Sequence, residues 1–489
     1  MENKKNIAKN YMYNLMYQIL TIIIPLITTP YLSRVLRAEN IGIYSYTLSI
    51  ATYFILFGSL GVAMYGQREI AYVQNDKHKR SKIFYEILIM RFISLGISLI
   101  LFYFCFCTSN EYSMYYKILI LEIIATSVDI SWFFQGLEEF KKTVLRNSII
   151  KIISVICIFI FVRTSNDLVN YFVIYVSSNL LGNLTLWIYI PKFIKKISFN
   201  ELNFKKHIKP TLSLFIPQIA MQIYNVLDKT MIGTIVDNKS EVGFYEQAQK
   251  MIKLLLTIAT SFGTVMVPRM ANTFANKDTK KLKEYMNISF CFILMVSLPL
   301  MFGFVSVSNS FVPMFYGPGF DKVKILIAVI SPIILAISLS NVIGTQYLLP
   351  TKQQKKFTIS VTCGAIVNFI LNLILIKLFA SIGASIATVI AEFVVTGIQF
   401  YFVRRDFSII TVIKRTYKYL LSSIIMFINS LIIGLFISNN IISIFVQVIS
   451  SAFVYFLSLL ILKDAFFLKC TKKIINKLKK EKLKWKQQL

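Results

Sequence analysis

The sequence is poor in the residues that carry catalysis and metal binding. Its 489 residues include only two histidines, His78 and His207, and no H-E-x-x-H motif. None of its 18 glycines precedes a lysine, which excludes the Walker A loop that grips the phosphates of ATP. The six cysteines show no C-x-x-C spacing, which excludes the usual zinc and redox motifs. We therefore predict no enzyme, no cofactor and no metal site, and a solvated surface position for both histidines.

A separate soluble domain is also missing, because apolar runs of about 20 residues recur from end to end. Apolar residues make up 56% of the chain. A helix of that length crosses a hydrocarbon core about 30 Å thick, so the sequence predicts an all-α polytopic membrane protein. The predicted spans are 11–32, 41–64, 83–108, 113–137, 148–163, 168–191, 210–236, 241–266, 286–309, 325–349, 357–379, 382–402, 416–437 and 441–463.

Acidic residues are few, with 23 Asp and Glu against 53 Lys and Arg and a net charge of +30. The basic residues lie in short links such as "QREIAYVQNDKHKRSK" and not in a separable domain, which excludes a nucleic-acid binder. By the positive-inside rule, both termini are predicted to be cytoplasmic. The tail "KKIINKLKKEKLKWKQQL" is expected to lie on anionic lipid. No small-residue cleavage pattern follows the first lysines, so we predict an uncleaved first helix.

Two short motifs indicate an internal repeat. "IGIY" at 41–44 and "VGFY" at 242–245 differ by 201 positions, and the same offset carries Arg68 onto Arg269. Both motifs follow a span that starts inside, so the two halves would be related by an axis along the membrane normal. We therefore predict two six-helix bundles, 1–209 and 210–415, followed by two further spans and the basic tail at 416–489.

Polar side chains form stripes inside several spans. Gln218, Gln222, Asn225 and Lys229 are spaced to share one helix face, with Asp228 beside it. The first span carries Gln18 on a similar stripe. Further polar residues in spans are Glu122, Asp129, Asn368, Asn372 and Glu392.

A charged side chain at the bilayer centre costs about 2.5–3.5 kcal/mol on insertion scales, so these groups must face other helices or water. Hydrogen bonding across packed helices is one interpretation, with Asp228 and Lys229 each paired locally. A water-filled cavity is the other. Asp228 and Lys229 point about 100° apart on a helix, so we expect that they cannot both face one packed partner, which favours the cavity.

Five stretches resemble the Wzx-type polysaccharide repeat-unit flippases of the multidrug/oligosaccharidyl-lipid/polysaccharide exporter superfamily. They are "PLITTPYLSRVLRAENIGIYSY", "GQREIA", "SWFFQGLEEFKK", "LDKTMIG" and "VNFILNLILIKLFASIGASIATVIAEF". One departure is Arg37, where members of the family often have glycine. The resemblance implies a MATE-like fold of two six-helix bundles in a V plus two helices. It also implies the inner membrane of a bacterium.

The resemblance further implies that the substrate is an oligosaccharide on undecaprenyl diphosphate, which the protein flips from the inner to the outer leaflet for capsule or O-antigen synthesis. Membrane lipids and a polysaccharide polymerase are the implied partners. A cation-coupled drug exporter of the same superfamily and a membrane polysaccharide polymerase are the alternatives. Central cations argue against the exporter, and the lack of a large outside loop argues against the polymerase.

Such a substrate needs cations for its diphosphate and polar groups for its sugars. We expect Lys229 to contact the phosphate, followed by Arg91, with Arg68 and Arg269 at the inner mouth and Arg34 and Arg37 at the outer mouth. Snorkelling to lipid headgroups is the alternative for the mouth arginines. The Asn and Gln stripes and Trp132 are expected to bind sugar rings. The candidate ion-coupling carboxylates are Glu122, Asp129, Asp228 and Glu392, with constant ion pairs, such as Asp129 with Arg91, as the alternative.

Overall fold

The protein is described from a computed structural model, which covers residues 2–108, 110–407, 409–472 and 476. For 2–15, 17–18, 140–142, 213–214, 216–221, 223–225 and 409–415 only the backbone is described. All regular structure in the described residues is helical. The chain divides into two compact units, residues up to Glu246 and residues from Gln247 onward.

The first unit contains nine helices in its described residues, and a tenth begins there. They are α1 Glu2–Ser59, α2 Val62–Tyr72, α3 Lys77–Phe102, α4 Ser113–Ser127, α5 Ser131–Gly136, α6 Phe140–Phe161, α7 Leu168–Trp187, α8 Ile190–Phe193, α9 Lys205–Ile235 and α10 Ser240–Ala275. A π-helical segment, Tyr103–Cys107, continues α3.

The described part of the second unit continues α10 and adds six helices. They are α11 Thr279–Tyr316, α12 Asp321–Ile330, α13 Ile333–Ser340, α14 Gln354–Val403, α15 Ile409–Phe436 and α16 Asn440–Ile461. A π-helical segment, Asn341–Leu348, continues α13.

The described helices match the predicted number of membrane spans. Eleven helical stretches are long and apolar enough to cross a membrane. Two of them each cover two predicted spans, because α1 is broken at Arg37 and α14 at Ala380. With α9, which covers the predicted span 210–236, the described residues accommodate all fourteen. The predicted all-α polytopic class is confirmed.

Two predicted spans are less regular than expected. The span 113–137 stops being helical after Ser127 and resumes as α5 at Ser131. The span 325–349 is interrupted after Ile330, and Pro332 precedes the first residue of α13. Proline cannot donate a backbone hydrogen bond to the preceding turn, which explains the second break. Asp129 lies in the first break, where its side chain meets free backbone groups.

The residue at the break in α1 is conformationally strained. Arg37 has φ 62° and ψ 175°, a region that is essentially restricted to glycine because a Cβ atom crowds the backbone there. The side chain is exposed. The family often has glycine at this position. The arginine of this sequence therefore replaces glycine at a backbone conformation that favours glycine.

Replacing Arg37 with glycine should stabilise the protein. Because the strain of such a residue is about 1–3 kcal/mol, Arg37→Gly is expected to raise the free energy of unfolding by about 1 kcal/mol after the entropy cost of glycine. Thermal unfolding in detergent measures the change. Arg37→Ala is the matched control, since it removes the same charge but keeps the Cβ atom. Equal unfolding temperatures for the two variants would show that the backbone is not strained.

The core of the first unit is aromatic. Phe84 of α3 stacks on Trp132 with 5.8 Å between ring centroids and meets Phe133 edge-on at 5.0 Å. Trp132 is 1% exposed. The prediction that Trp132 binds passing sugar rings is therefore wrong, because its ring is packed into this core. The second unit has its own core, in which Phe290 of α11 packs with Tyr419 of α15 and Tyr455 of α16.

The link before α3 ends in a regular helix cap. The Asp76 carboxylate accepts hydrogen bonds from the backbone N–H groups of His78 and Lys79, each at 3.0 Å. The bond from Lys79 is the main reason that the pKa of Asp76 is lower than usual. The cap therefore stays charged at neutral pH and fixes the start of α3.

The two repeat motifs contact each other inside the first unit. A Cβ atom placed on Gly42 would overlap the carbonyl oxygen of Lys239, and one placed on Gly243 would overlap that of Ala38. Each glycine therefore packs directly on the backbone beside the other motif. The offset of 201 positions relates Gly42 to Gly243 and Ala38 to Lys239, so the contact is reciprocal.

Candidate functional site

The adjacent charges of α9 both bind α10. The Asp228 carboxylate accepts a hydrogen bond from the hydroxyl of Tyr245, and Lys229 forms an ion pair with Glu246. The expectation that neighbouring residues of one helix cannot face a single packed partner is therefore wrong. Residues 228 and 229 meet residues 245 and 246 across the short connection between α9, which ends at Ile235, and α10, which begins at Ser240.

The two pairs differ in how far they are buried. Asp228 is 3% exposed and Tyr245 is fully buried, so their hydrogen bond belongs to the packed interior. The side chains of Lys229 and Glu246 are 19% and 25% exposed. The Glu246 oxygen that faces Lys229 is itself buried, so an incoming anion would approach from the exposed part of the Lys229 side chain and displace that carboxylate. The chemistry of this pair is therefore suited to reversible binding of an anion by Lys229.

The stripe that leads to Lys229 is only partly described. Gln222 is exposed on α9, whereas the side chains of Gln218 and Asn225 lie outside the described residues, as does that of Gln18 on α1. On the neighbouring face of α9, Thr230 shares a hydrogen bond of 2.8 Å with Ser49 of α1. The exposure of Gln222 and the partial exposure of Lys229 are compatible with the predicted position of both residues on the wall of one water-filled cavity.

Arg91 binds Asp129 in the break of the predicted span 113–137. This residue of α3 is 3% exposed, and its guanidinium donates to the backbone carbonyl of Asp129 at 2.9 Å. Its other terminal nitrogen lies 3.9 Å from the Asp129 carboxylate. That carboxylate also accepts bonds from the backbone and hydroxyl of Ser131 at 2.9 and 2.5 Å. This geometry favours the alternative of a constant ion pair over phosphate contact or ion coupling.

Glu122 lies in a polar cluster that joins three helices. Both of its carboxylate oxygens accept hydrogen bonds from the amide of Asn179 on α7, at 2.9 and 3.0 Å. One turn further along α7, Asn183 donates to the carbonyl of Ala125 at 2.7 Å and accepts from Arg146 of α6 at 3.0 Å. Among the described residues no cation pairs with Glu122. Of the candidate ion-coupling carboxylates in this unit, Glu122 is the one held by a neutral amide.

The polar residues of α14 are packed inside the second unit. Asn368 and Asn372 are fully buried, and the amide of Asn372 donates to Asn368 at 3.1 Å. Asn368 in turn lies 3.5 Å from the hydroxyl of Thr388, across the break at Ala380. Glu392, further along α14, is 8% exposed. This burial favours helix packing over sugar binding for the two asparagines.

The predicted mouth arginines are accessible. Arg68 of α2 pairs with its neighbour Glu69 at 3.0 Å and remains 42% exposed. Arg34 donates to the backbone carbonyl of Pro30 at 2.8 Å, and Arg269 of α10 is exposed. These positions are equally suited to substrate contact and to snorkelling.

One histidine is not where the sequence placed it. His207, at the start of α9, is 2% exposed, with its ring between the hydroxyl of Tyr65 at 2.6 Å and the carboxylate of Glu86 at 2.9 Å. The expected solvated surface position is therefore wrong for His207. His78 is exposed, as expected.

The partners of the charged residues were not identified from the sequence. Tyr245 is the last residue of the "VGFY" motif and Glu246 directly follows it, so the segment that indicates the repeat also supplies both partners of the α9 charges. Asn179 and Asn183 are spaced four residues apart on α7, which is the same helical spacing that defines the polar stripes of the other spans.

Comparisons with known proteins agree with this architecture. The profile of the family described as "Polysaccharide biosynthesis protein" matches residues 7–274, and that of "Lipid II flippase MurJ" matches residues 147–463. A candidate O-antigen transporter of Escherichia coli (strain K12) is 26% identical over 412 residues, which cover 83% of this chain and 98% of that protein.

Solved structures show the same fold. The lipid II flippase MurJ in an inward closed conformation superposes with a TM-score of 0.74 at 18% identity, covering 91% of this chain and 98% of that one. An inward-facing multidrug resistance transporter of the MATE family gives a TM-score of 0.56 at 11% identity, covering 78% and 97%. The predicted MATE-like fold is therefore confirmed. The chain belongs to the polysaccharide biosynthesis protein family, whose profile covers more than half of its length, and it also matches the family of the lipid II flippase MurJ.

Proposed function

We propose that this protein is a flippase that moves oligosaccharide repeat units, linked to undecaprenyl diphosphate, from the inner to the outer leaflet for surface polysaccharide synthesis. The comparisons support a transporter of lipid-linked sugars, because the matched proteins are named as an O-antigen transporter and a lipid II flippase. The observation that carries the proposal is the accessible ion pair between Lys229 and Glu246, formed by spanning helices.

The ion pair gives the proposed transport a chemical basis. A diphosphate cannot cross hydrocarbon without a cation within the spans, since an unpaired charge there is costly. In the resting protein Glu246 neutralises Lys229. When the diphosphate arrives, the ammonium group exchanges the carboxylate for a phosphate oxygen, and after release it returns to Glu246. Neither state leaves Lys229 unpaired.

Ion coupling is proposed to use Glu122. Its amide partner Asn179 donates equally to both oxygens and supplies no positive charge. A carboxylate without a cation partner in a low-dielectric interior can take up a proton or bind a small cation. Asp129 is occupied by Arg91 and Ser131, which makes it a poorer candidate, while Asp228 and Glu392 stay as further candidates.

We also propose the inner membrane of a bacterium as the location, with both termini in the cytoplasm. The distribution of lysine and arginine among the links supports this orientation. The division into bundles 1–209 and 210–415 with two extra spans is retained as a proposal, supported by the reciprocal contact of Gly42 and Gly243. We propose in addition that the protein works with a polysaccharide polymerase and is itself not an enzyme.

Reconstituted transport tests the function. Proteoliposomes that contain the purified protein receive undecaprenyl-diphosphate-linked saccharides of several lengths, with a fluorescent label on the sugar. The arrival of label on the opposite leaflet is measured with a membrane-impermeant quencher. We expect transfer well above that of protein-free liposomes. Efflux of organic cations without any transfer of these lipids would instead assign the protein to the drug exporters.

A further inference from the structure

The second unit contains a basic cavity at one end of its helices. It has a volume of about 700 Å³ and lies between the start of α11, the start of α15 and the segment that follows α16. Its charged lining residues are Lys280, Lys283, Glu284, Lys418, Asp464 and Lys469. Four ammonium groups thus face two carboxylates. The positive-inside rule places this end of α11 at the cytoplasmic surface.

Two of the charged side chains that line the basic cavity, Lys418 and Asp464, form hydrogen bonds within its wall. Lys418 donates to the carbonyl oxygens of Leu462 and Lys463 at 2.9 and 3.3 Å. Asp464 accepts from the hydroxyl of Tyr419 at 3.2 Å and from a backbone N–H at 2.8 Å. Within the described part of the chain, Lys280, Lys283 and Lys469 have no such partner. The cavity therefore offers free cations next to a fixed wall.

A second, apolar cavity lies deeper, between α11, α15, α16 and Leu255 of α10. Its volume is about 480 Å³, and the described residues that line it are apolar apart from Ser451 and Tyr455. On α11 the basic cavity ends at Cys291 and the apolar cavity begins at Met295, which is about 6 Å further along the axis. The order is the same along α15, and the basic cavity is lined by the segment after α16 while the apolar cavity is lined by α16 itself.

We propose that the two cavities form one binding site for an anionic glycerophospholipid of the cytoplasmic leaflet. The phosphate would bind Lys280, Lys283 and Lys469, and an acyl chain would fill the apolar cavity. Basic pockets between spanning helices on the cytoplasmic side bind anionic headgroups in this way. The bound lipid would hold α15 and α16 against α11.

The position of the cavities favours a resident phospholipid over the transported lipid. The lysines of the basic cavity lie at helix ends, at the depth of lipid headgroups. A phosphate that crosses the membrane needs cations within the spans, and this site supplies none deeper than Lys418, since the next lining residues are apolar. This inference does not depend on the proposed transport function.

Lipid binding to the purified full-length protein in a neutral detergent tests the proposal. Phosphatidylglycerol and phosphatidylcholine are added separately, and bound lipid is counted by native mass spectrometry while the unfolding temperature is recorded. We expect one phosphatidylglycerol to bind and to raise the unfolding temperature, with phosphatidylcholine much weaker. Equal binding of both lipids would overturn the site, because the headgroup charge would then have no role.

Variants locate the site. The double variant Lys280→Gln, Lys283→Gln should weaken phosphatidylglycerol binding at least about tenfold. Lys277→Gln, Lys281→Gln is the matched control, because it removes two charges from the same end of α11 outside the cavity. Equal losses in the two double variants would show only a general surface charge effect. Unchanged binding in the first would remove the site altogether.

The apolar cavity is tested without changing charge. Gly303 lines it, and a Cβ atom there meets only the end of Met426 at 3.5 Å, so a larger side chain can enter the cavity. Gly303→Phe should reduce phosphatidylglycerol binding while the protein stays folded.

Competition with undecaprenyl phosphate distinguishes a resident phospholipid from the carrier lipid. If it displaces phosphatidylglycerol one for one at lower concentration, the occupant is the substrate's carrier lipid and the phospholipid assignment fails.

Discussion

Alanine at Gly42 or Gly243 is expected to prevent stable folding of the first unit. In each case the new methyl group would overlap a backbone carbonyl, of Lys239 or of Ala38, which cannot rotate aside as a side chain can. Overpacking costs about 1–3 kcal/mol where side chains can adjust, so a backbone obstacle should exceed that range. The yield of monodisperse protein and its unfolding temperature measure the effect.

Gly96→Ala is the matched control for these variants. Gly96 lies within α3 of the same unit, and nothing approaches its Cβ position within 4 Å. Because alanine is a better helix former by about 1 kcal/mol, this change should be neutral or slightly stabilising. A tolerated Gly42→Ala together with an unchanged Gly96→Ala would show that the two repeat motifs do not pack on each other's backbone.

The helices could be predicted from the sequence because length and apolarity determine which segments can cross a membrane. The breaks within these helices could not be predicted from length and apolarity. Arg37 and Ala380 interrupt helices at residues with good helix propensity, and only the family's preference for glycine at the first position gave a signal. The break around Asp129 depends on Arg91 and Ser131, which satisfy the exposed backbone and side-chain groups.

The site could be predicted only in part. Helical spacing identifies which side chains share a face, so Lys229 and Asp228 stood out as costly groups that need an explanation. Spacing does not identify the partner, because that depends on the conformation of the connection between α9 and α10. The sequence therefore does not indicate Glu246 as the partner of Lys229, although Glu246 directly follows the "VGFY" motif. The burial of His207 has the same cause, since its partners Tyr65 and Glu86 are more than a hundred residues away.

Lys229→Ala is expected to reduce transfer of the undecaprenyl-linked saccharide by roughly thirtyfold or more, the usual cost of losing one member of a close charge pair. The protein should still insert and fold, because the side chains of the pair are 19% and 25% exposed and do not belong to the fully buried interior. Glu246→Gln is the informative companion. It removes the competing charge but keeps Lys229, so substrate binding should persist or tighten. The reconstituted transfer assay and substrate titration measure both.

Exchanging the two charges separates a substrate contact from a structural ion pair. In Lys229→Glu, Glu246→Lys the attraction between α9 and α10 is restored, so the unfolding temperature should recover relative to either single reversal. Transport should not recover, because the ammonium group then projects from α10 and no longer continues the line of Gln222 on α9. Full recovery of both stability and transfer would mean that the pair only joins two helices, and the diphosphate would then have to bind another cation.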